Sequence, residues 1–335
     1  MRRALTCLVV CVASILVARG IASPARGPLA APADARGLWV VRTSLTSRDR
    51  IASMVDAARR AGFNTLIVQV RGRGEAFYTS AIEPRSPDLE GQPADFDPLA
   101  VTLDLAHRAG LRVHAWIGVD FVASSATLPR APTHVVNRHP EWLMVPAALA
   151  RSLRGVSPAS PAYVDALAGW TRTMSEQVEG LYLSPISPAA RQYSVDVVRE
   201  IVARYAVDGV QFDYLRYPNE TFDYSATAIA AFRAARLPSV AAVDRQRLDA
   251  AARTDPTAWP AAYPQAWDGF RRDRLTWLLH ALTAAVRSAR PHLPVSAAVV
   301  PRGDEARART LQDWPRWAAA GDLDTVCPMV YVSDE

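Results

Sequence analysis

Two stretches of this chain repeat one joint. Ala58–Leu66 reads ARRAGFNTL and Ala106–His114 reads AHRAGLRVH, at an offset of 48 residues. In each, a glycine closes a helix and an apolar residue opens a strand. Strand and helix therefore alternate, and apolar strands alternating with helices build a parallel sheet covered by helices.

The rest of the chain keeps this rhythm. Arg36–Leu45 reads as a first strand, and Ser47 caps the helix that stops at Gly62. FNTLIVQVRGRG is a second strand. Asp97 and Pro98 start a helix that ends at Gly110, and LRVHAWIGVDF is a third strand. After a less regular middle, with a short extra strand expected in EGLYLSPISP, come a helix over Tyr193–Tyr205 and a fourth strand in DGVQFDYLRYP. LPVSAAVVP and DTVCPMVYV are the fifth and sixth. About six units fit an open doubly wound sheet or most of a (β/α)8 TIM barrel. No dinucleotide fingerprint follows strand one, and RGRG at Arg71–Gly74 is too short for a phosphate loop, so its glycines are read as a tight turn.

Side-chain parity favours the barrel. In strand two, Leu66, Val68 and Val70 share one face, and Ile67, Gln69 and Arg71 the other. In strand three His114, Trp116 and Asp120 oppose Val113, Ala115 and Ile117; in strand four Gln211 and Asp213 oppose Val210 and Phe212. Strand one places Arg42 on the same parity as Val40. Each strand thus has an apolar face for the helices and a second face that turns polar toward its C-terminal end. Polar groups converging there are expected at the mouth of a barrel, where barrel enzymes place their sites. Asp208, at the opposite end of strand four, is expected to be structural.

The amino terminus reads as an export signal. MRR precedes the apolar run Ala4–Ala18, too short for a membrane span, and GIAS offers small residues for cleavage near Ala22 or Ser23. A signal over residues 1–23, a Pro/Ala-rich linker over 24–35 and a barrel domain over 36–335 follow. Cleavage leaves 35 of the 38 basic residues against 33 acidic ones, and so a formal charge of +2 in place of +5. No basic run interleaved with aromatics remains, which argues against a nucleic-acid partner. Cys327 is the one cysteine beyond the signal, so no intramolecular disulfide is expected. Secretion or an envelope location is expected.

RGLWVVRTSL, AGFNTLIVQVRGRGEAFYTS, LRVHAWI, HPEWLM, YLSP, VDGVQFDYLRYP and CPMVY, in this order, resemble the glycosyl-hydrolase-like 10 family. The resemblance implies a TIM-barrel glycosidase acting on glycans, usually exported. It also implies two further strand–helix units, so the chain reads as shortened at its C-terminus, its open sheet needing a partner for closure. There are departures: Glu75 and Gln211 stand where many relatives have Asp and His, and Tyr214 follows Asp213 where some have a second acid.

Glycosidases usually work with two carboxyl groups, one protonating the leaving oxygen and the other attacking or activating water. Asp213 is the first choice, as acid or nucleophile. Asp120 and Glu75 are candidates for the second. Arg42, Gln69, Arg71, His114, Gln211 and Arg216 are candidate substrate-binding groups. Trp116, Tyr214, Tyr217 and Tyr331 offer faces for sugar rings, and Trp142 is read as packing in its loop. No His/Cys/Asp cluster has metal-ligand spacing, so no metal or cofactor is expected. Two competitors stand beside the hydrolase. One is a non-catalytic glycan-binding barrel or inactive fragment. The other is a barrel enzyme of another class, for which no phosphate loop is present and, with no Lys in the chain, no Schiff base can form.

Overall fold

The structure is a computed structural model and describes residues 34–331. The proposed signal and most of the linker lie outside the described residues. Nine strands run in chain order: β1 (Gly37–Val40), β2 (Thr65–Gly72), β3 (Glu75–Ala76), β4 (Arg112–Gly118), β5 (Phe121–Ser124), β6 (Gly180–Tyr182), β7 (Gly209–Asp213), β8 (Val295–Val299) and β9 (Thr325–Pro328). The parallel strands lie in the order β1-β2-β4-β7-β8-β9, and β3 folds back antiparallel on β2. This is a half-barrel of α/β type, with helices Arg48–Arg60, Pro98–Arg108, Pro188–Arg204 and Pro264–Ala289 among those that follow its strands.

The repeated joint has a physical cause. At the first, the Phe63 amide donates to the Ala58 carbonyl and the Gly62 amide to Arg59. At the second, Leu111 donates to Ala106 and Gly110 to His107. Both are Schellman caps, with Gly62 at φ 80° and Gly110 at φ 75°, a conformation that favours glycine. The N-caps read from sequence also form: Ser47 Oγ accepts from the Arg50 amide and Asp97 Oδ1 from Ala100.

Leu66, Val68, Val70, Val113, Ala115, Ile117, Val210 and Phe212 are buried in one core between sheet and helices. On the other face the register aligns Ile67 with His114 and Gly209, Gln69 with Trp116 and Gln211, and Gly118 with Asp213. The first strand is shorter than its sequence suggested, because Arg42–Leu45 winds into a 3-10 turn. The strand in EGLYLSPISP forms, but it pairs antiparallel with β5 in a separate two-stranded ribbon above the barrel mouth. At the opposite end, Asp208 Oδ2 accepts from the Val113 amide and meets His107 Nε2, both at 2.8 Å, which gives it a structural task.

Candidate active site

The mouth is shaped first by β2. Its ladder slips between Gln69 and Arg71, so that Arg71 comes level with Ile117 and its core-facing side chain. A bulge of this kind re-aims one side chain. Arg71 therefore leaves the face it shares with Gln69 in an unbroken strand. It is 1% exposed and forms an ion pair with the fully buried Glu83, Nη2 to Oε1 at 2.7 Å. Its Nη1 donates to the Gly118 and Val119 carbonyls, and the Tyr193 hydroxyl donates to Glu83 at 2.7 Å. Burial pulls the Arg71 pKa down, and Glu83 more than offsets this, leaving it raised. The expectation that Arg71 meets substrate is corrected. It fixes the end of β4.

Beyond the bulge, Arg73 (φ 61°) and Gly74 (φ 70°) make the two-residue turn to β3, with positive φ at both positions as a type I′ hairpin requires. A Cβ at Gly74 would lie 2.9 Å from His134 Nε2, which itself contacts the Arg73 carbonyl at 2.8 Å. The hairpin holds Glu75 in a cleft of about 600 Å³ lined also by Arg42, Arg73, Arg85, Asp88 and Arg130. Ser86 Oγ donates to Glu75 Oε2 at 3.1 Å. Burial raises the Glu75 pKa; the Ser86 bond, Arg42 and Arg73 only partly oppose it.

Inside the half-barrel, Gln69 and Gln211 are paired with protein, and His114 is buried with its Nε2 unpaired among the described residues. Gln69 Oε1 accepts from the Arg42 amide and guanidinium, both at 3.3 Å. Gln211 Oε1 accepts from Ser296 Oγ at 2.5 Å and faces Cys327 Sγ at 3.5 Å. His114 packs against Gly209, where a Cβ would fall 2.5 Å from its ring. Burial, with Arg112, lowers the His114 pKa to about 4. These groups line the floor of the site and do not reach its rim.

Asp213 ends β7 at the rim and is 7% exposed. Trp116 Nε1 donates to its Oδ2 at 3.1 Å, and the Tyr214 amide to its Oδ1 at 2.7 Å. Arg216 Nη1 lies 3.5 Å from Oδ1. Burial raises the Asp213 pKa; Arg216, the Tyr214 amide and Trp116 pull it back without cancelling the rise. Tyr214 is itself at φ 52°, an unfavourable conformation for a bulky residue that is retained where the surroundings over-determine it. The turn brings its ring to the mouth, 4.7 Å from Phe121 between centroids and 4.5 Å beneath the Arg216 guanidinium. Trp39, 40% exposed, meets Trp116 edge-on at 4.9 Å and extends this aromatic surface.

A second carboxylate joins the cluster, one that parity along the main strands does not reveal. Glu179, just before β6, lies 3.4 Å from Arg216 Nη2 and accepts from the Tyr182 hydroxyl at 2.5 Å. Its side chain is 47% exposed. Because one guanidinium touches both acids, the two carboxyls lie within about 9 Å of each other, inside the span that glycosidases use. The sequence signal was Glu179 and Tyr182 three apart in a segment read only as an extra strand.

Asp120 and Tyr217 are placed differently from the sequence expectation. Asp120 is 1% exposed, and its Oδ2 is buried without a hydrogen-bond partner. Burial pushes its carboxyl far up; Arg71 opposes this and Asp223 adds to it. Tyr217 is fully buried, its hydroxyl 3.5 Å from the Arg271 carbonyl, so its ring is taken up by the core instead of a sugar. The sugar-contact expectation for Tyr217 is thus corrected, while Asp120 lies buried under the influence of Arg71, Asp223 and Arg216, the last of which also meets Asp213. Tyr331 is 86% exposed and lies close enough to influence Tyr214. Trp142 stacks on His139 at 3.8 Å. Among the described residues, no group of three or more His, Cys, Asp or Glu is placed to hold a metal ion, and no helix is long and apolar enough to cross a membrane.

The family model for glycosyl hydrolase-like 10 matches residues 34–335. The chain belongs to the glycosyl hydrolase-like 10 family. Among its curated relatives, glycosyl hydrolase YngK of Bacillus subtilis is 23% identical over 318 residues, covering 88% of this chain and 52% of its own length. Glycosyl hydrolase DigH of Escherichia coli K12 is 27% identical over 336 residues, covering 88% of this chain and 65% of DigH. The chain thus spans about half to two thirds of these relatives. In fold, this family member is similar to the glycoside hydrolase domain of PgaB from Bordetella bronchiseptica, with TM-score 0.54 at 16% identity over 88% of this chain and 74% of that one. It is also similar to α-L-fucosidase isoenzyme 2 of Paenibacillus thiaminolyticus, with TM-score 0.51 at 19% identity over 80% and 33% of the two chains. These likenesses show the fold, a half-barrel of the TIM type.

Proposed function

We propose that this glycosyl hydrolase-like 10 protein is an exported enzyme that cleaves glycosidic bonds of a bacterial envelope or environmental polysaccharide, with Asp213 as general acid. The observation that carries the reading is Asp213 itself. It is a largely buried carboxyl at the C-terminal end of a barrel strand, raised in pKa, oriented by Trp116 and joined through Arg216 to the exposed Glu179. A raised pKa keeps the proton on an acid that must donate it. Asp213 gives its proton to the glycosidic oxygen as the bond from that oxygen to the anomeric carbon breaks. Glu179 takes a proton from the water whose oxygen bonds to that carbon. Arg216 holds the two carboxyls apart and balances their charge.

The test is hydrolysis of a glycan panel, peptidoglycan strands included, by the intact chain and by its Asp213→Asn and Glu179→Gln variants, scored by new reducing ends. Full activity in Asp213→Asn refutes the assignment. Binding of a glycan without turnover, unaffected by Asp213→Asn, supports the competing non-catalytic barrel.

A further inference from the structure

A second cleft, of about 500 Å³, opens beside the two chain segments that carry Glu179 and Arg216. Trp170, Met174, Gln177, Asn219, Glu220 and Arg309 line it. Its position follows from the chain: Gln177 stands two residues before Glu179, and Pro218, also in its wall, two after Arg216. Arg216 touches both Asp213 and Glu179, so two segments of the cleft wall lead within two residues to the proposed reaction centre.

The lining is suited to a sugar. Trp170 and Met174 are half-buried and supply apolar surface, with the indole held edge-on to Phe222 at 5.8 Å. Around them are the amides of Gln177 and Asn219, the carboxylates of Glu176 and Glu220 and the guanidinium of Arg309, itself paired with Glu305 at 2.9 Å, which together both donate and accept, as ring hydroxyls demand. The backbone that carries two of them is fixed. Asn219 Oδ1 accepts from the Thr221 amide at 2.9 Å and from its hydroxyl at 2.7 Å, and the Glu220 carbonyl accepts from the buried Arg271 at 2.7 Å. Neither the Asn219 amide nitrogen nor the Glu220 carboxylate has a hydrogen-bond partner among the described residues. A cavity of this size, with an apolar wall and a few convergent polar groups, is what small-molecule sites share.

We infer that this cleft is a subsite for pyranose units of the same glycan, beyond the scissile bond, so that a chain bound at Asp213 extends into it. The inference rests on the hydrolase reading for its chemistry but has a separate readout. Binding of neutral and N-acetylated hexasaccharides is measured by calorimetry on Asp213→Asn, then with Trp170→Ala or Glu220→Ala added. Each addition is expected to weaken binding about three- to tenfold, the worth of one well-placed aromatic or polar contact. Trp170→Phe, which keeps the packing on Phe222, is expected to recover most of the loss. In the active chain, the same substitutions are expected to lower kcat/KM for a hexasaccharide relative to the disaccharide by a similar factor. Hexasaccharide binding unchanged in both Trp170→Ala and Glu220→Ala, or no hexasaccharide binding at all, overturns the subsite. Loss of binding in these variants with no glycan hydrolysed by the intact chain leaves the subsite standing and overturns the hydrolase reading.

Discussion

Replacing Arg71 by Met removes the guanidinium that ties β2 to the mouth. The side chain fits a buried slot, so the cost is chiefly electrostatic. Glu83 would remain at 0% side-chain exposure with the Tyr193 hydroxyl as its main remaining partner. The Gly118 and Val119 carbonyls would lose their shared donor. Breaking a buried pair from one side costs about 3–5 kcal/mol, because the other charge is left uncompensated. Arg71→Met/Glu83→Leu removes both charges; the carbonyls lose their donor as they do in Arg71→Met, and in place of the uncompensated Glu83 charge only the Tyr193 hydroxyl is left short of a partner, about 1–3 kcal/mol for one such group. The double variant is therefore expected to be more stable than Arg71→Met alone, with a coupling of about 2 kcal/mol between the sites. Urea unfolding followed by tryptophan fluorescence and circular dichroism measures all four corners of the cycle. Additive effects, or a cost below about 1 kcal/mol for Arg71→Met, a size typical of exposed pairs, would refute the buried ion pair.

Three further outcomes follow from the barrel interior. Gly209→Ala is expected to destabilise by about 1–3 kcal/mol through overpacking on His114, and less when combined with His114→Ala; equal costs in both backgrounds would contradict the contact. His114 is expected to titrate near 4 by NMR. Its folded pKa lies below the unfolded value, so the stability it contributes above about pH 6.5 is lost as pH falls toward 4; a His114→Gln variant that keeps this slope would contradict it. Trp116→Phe removes a donor that favours ionised Asp213, so the alkaline limb of the pH–rate profile should move upward; a limb that stays in place would detach it from Asp213.

Much of the fold was legible because it rests on local chemistry. Gly62 and Gly110 close helices through bonds set within six residues, and Leu66, Val68 and Val70 alternate with Ile67 and Gln69 as the pleat requires. Parity also brought Trp116 and Asp213 to one face. It failed at Arg71, where one slip of register turned a side chain from the barrel axis to the core; no residue type in VQVRG announces that slip. The tight turn read in RGRG does form, at Arg73 and Gly74, but positive φ at Arg73 has no signal in its residue type, since Asn or Gly usually marks it. Glu179 was out of reach because it enters beside a ribbon set off the main sheet, and it is linked to Asp213 by the shared Arg216 and by its own charge, neither of which strand parity encodes. Asp120 and Tyr217 had suitable residue types near strand ends. No period in the sequence encodes their burial, which brings both under the influence of the Asp223 charge.

The central claim is that Asp213 donates the proton in glycoside cleavage. Initial rates of Asp213→Asn and the unaltered chain on the same polysaccharide, each first shown folded by circular dichroism, test it most directly. A fall of about 10²- to 10⁴-fold in kcat, the usual worth of a general acid, is the predicted result. A folded Asp213→Asn chain that hydrolyses the glycan at the unaltered rate would contradict it.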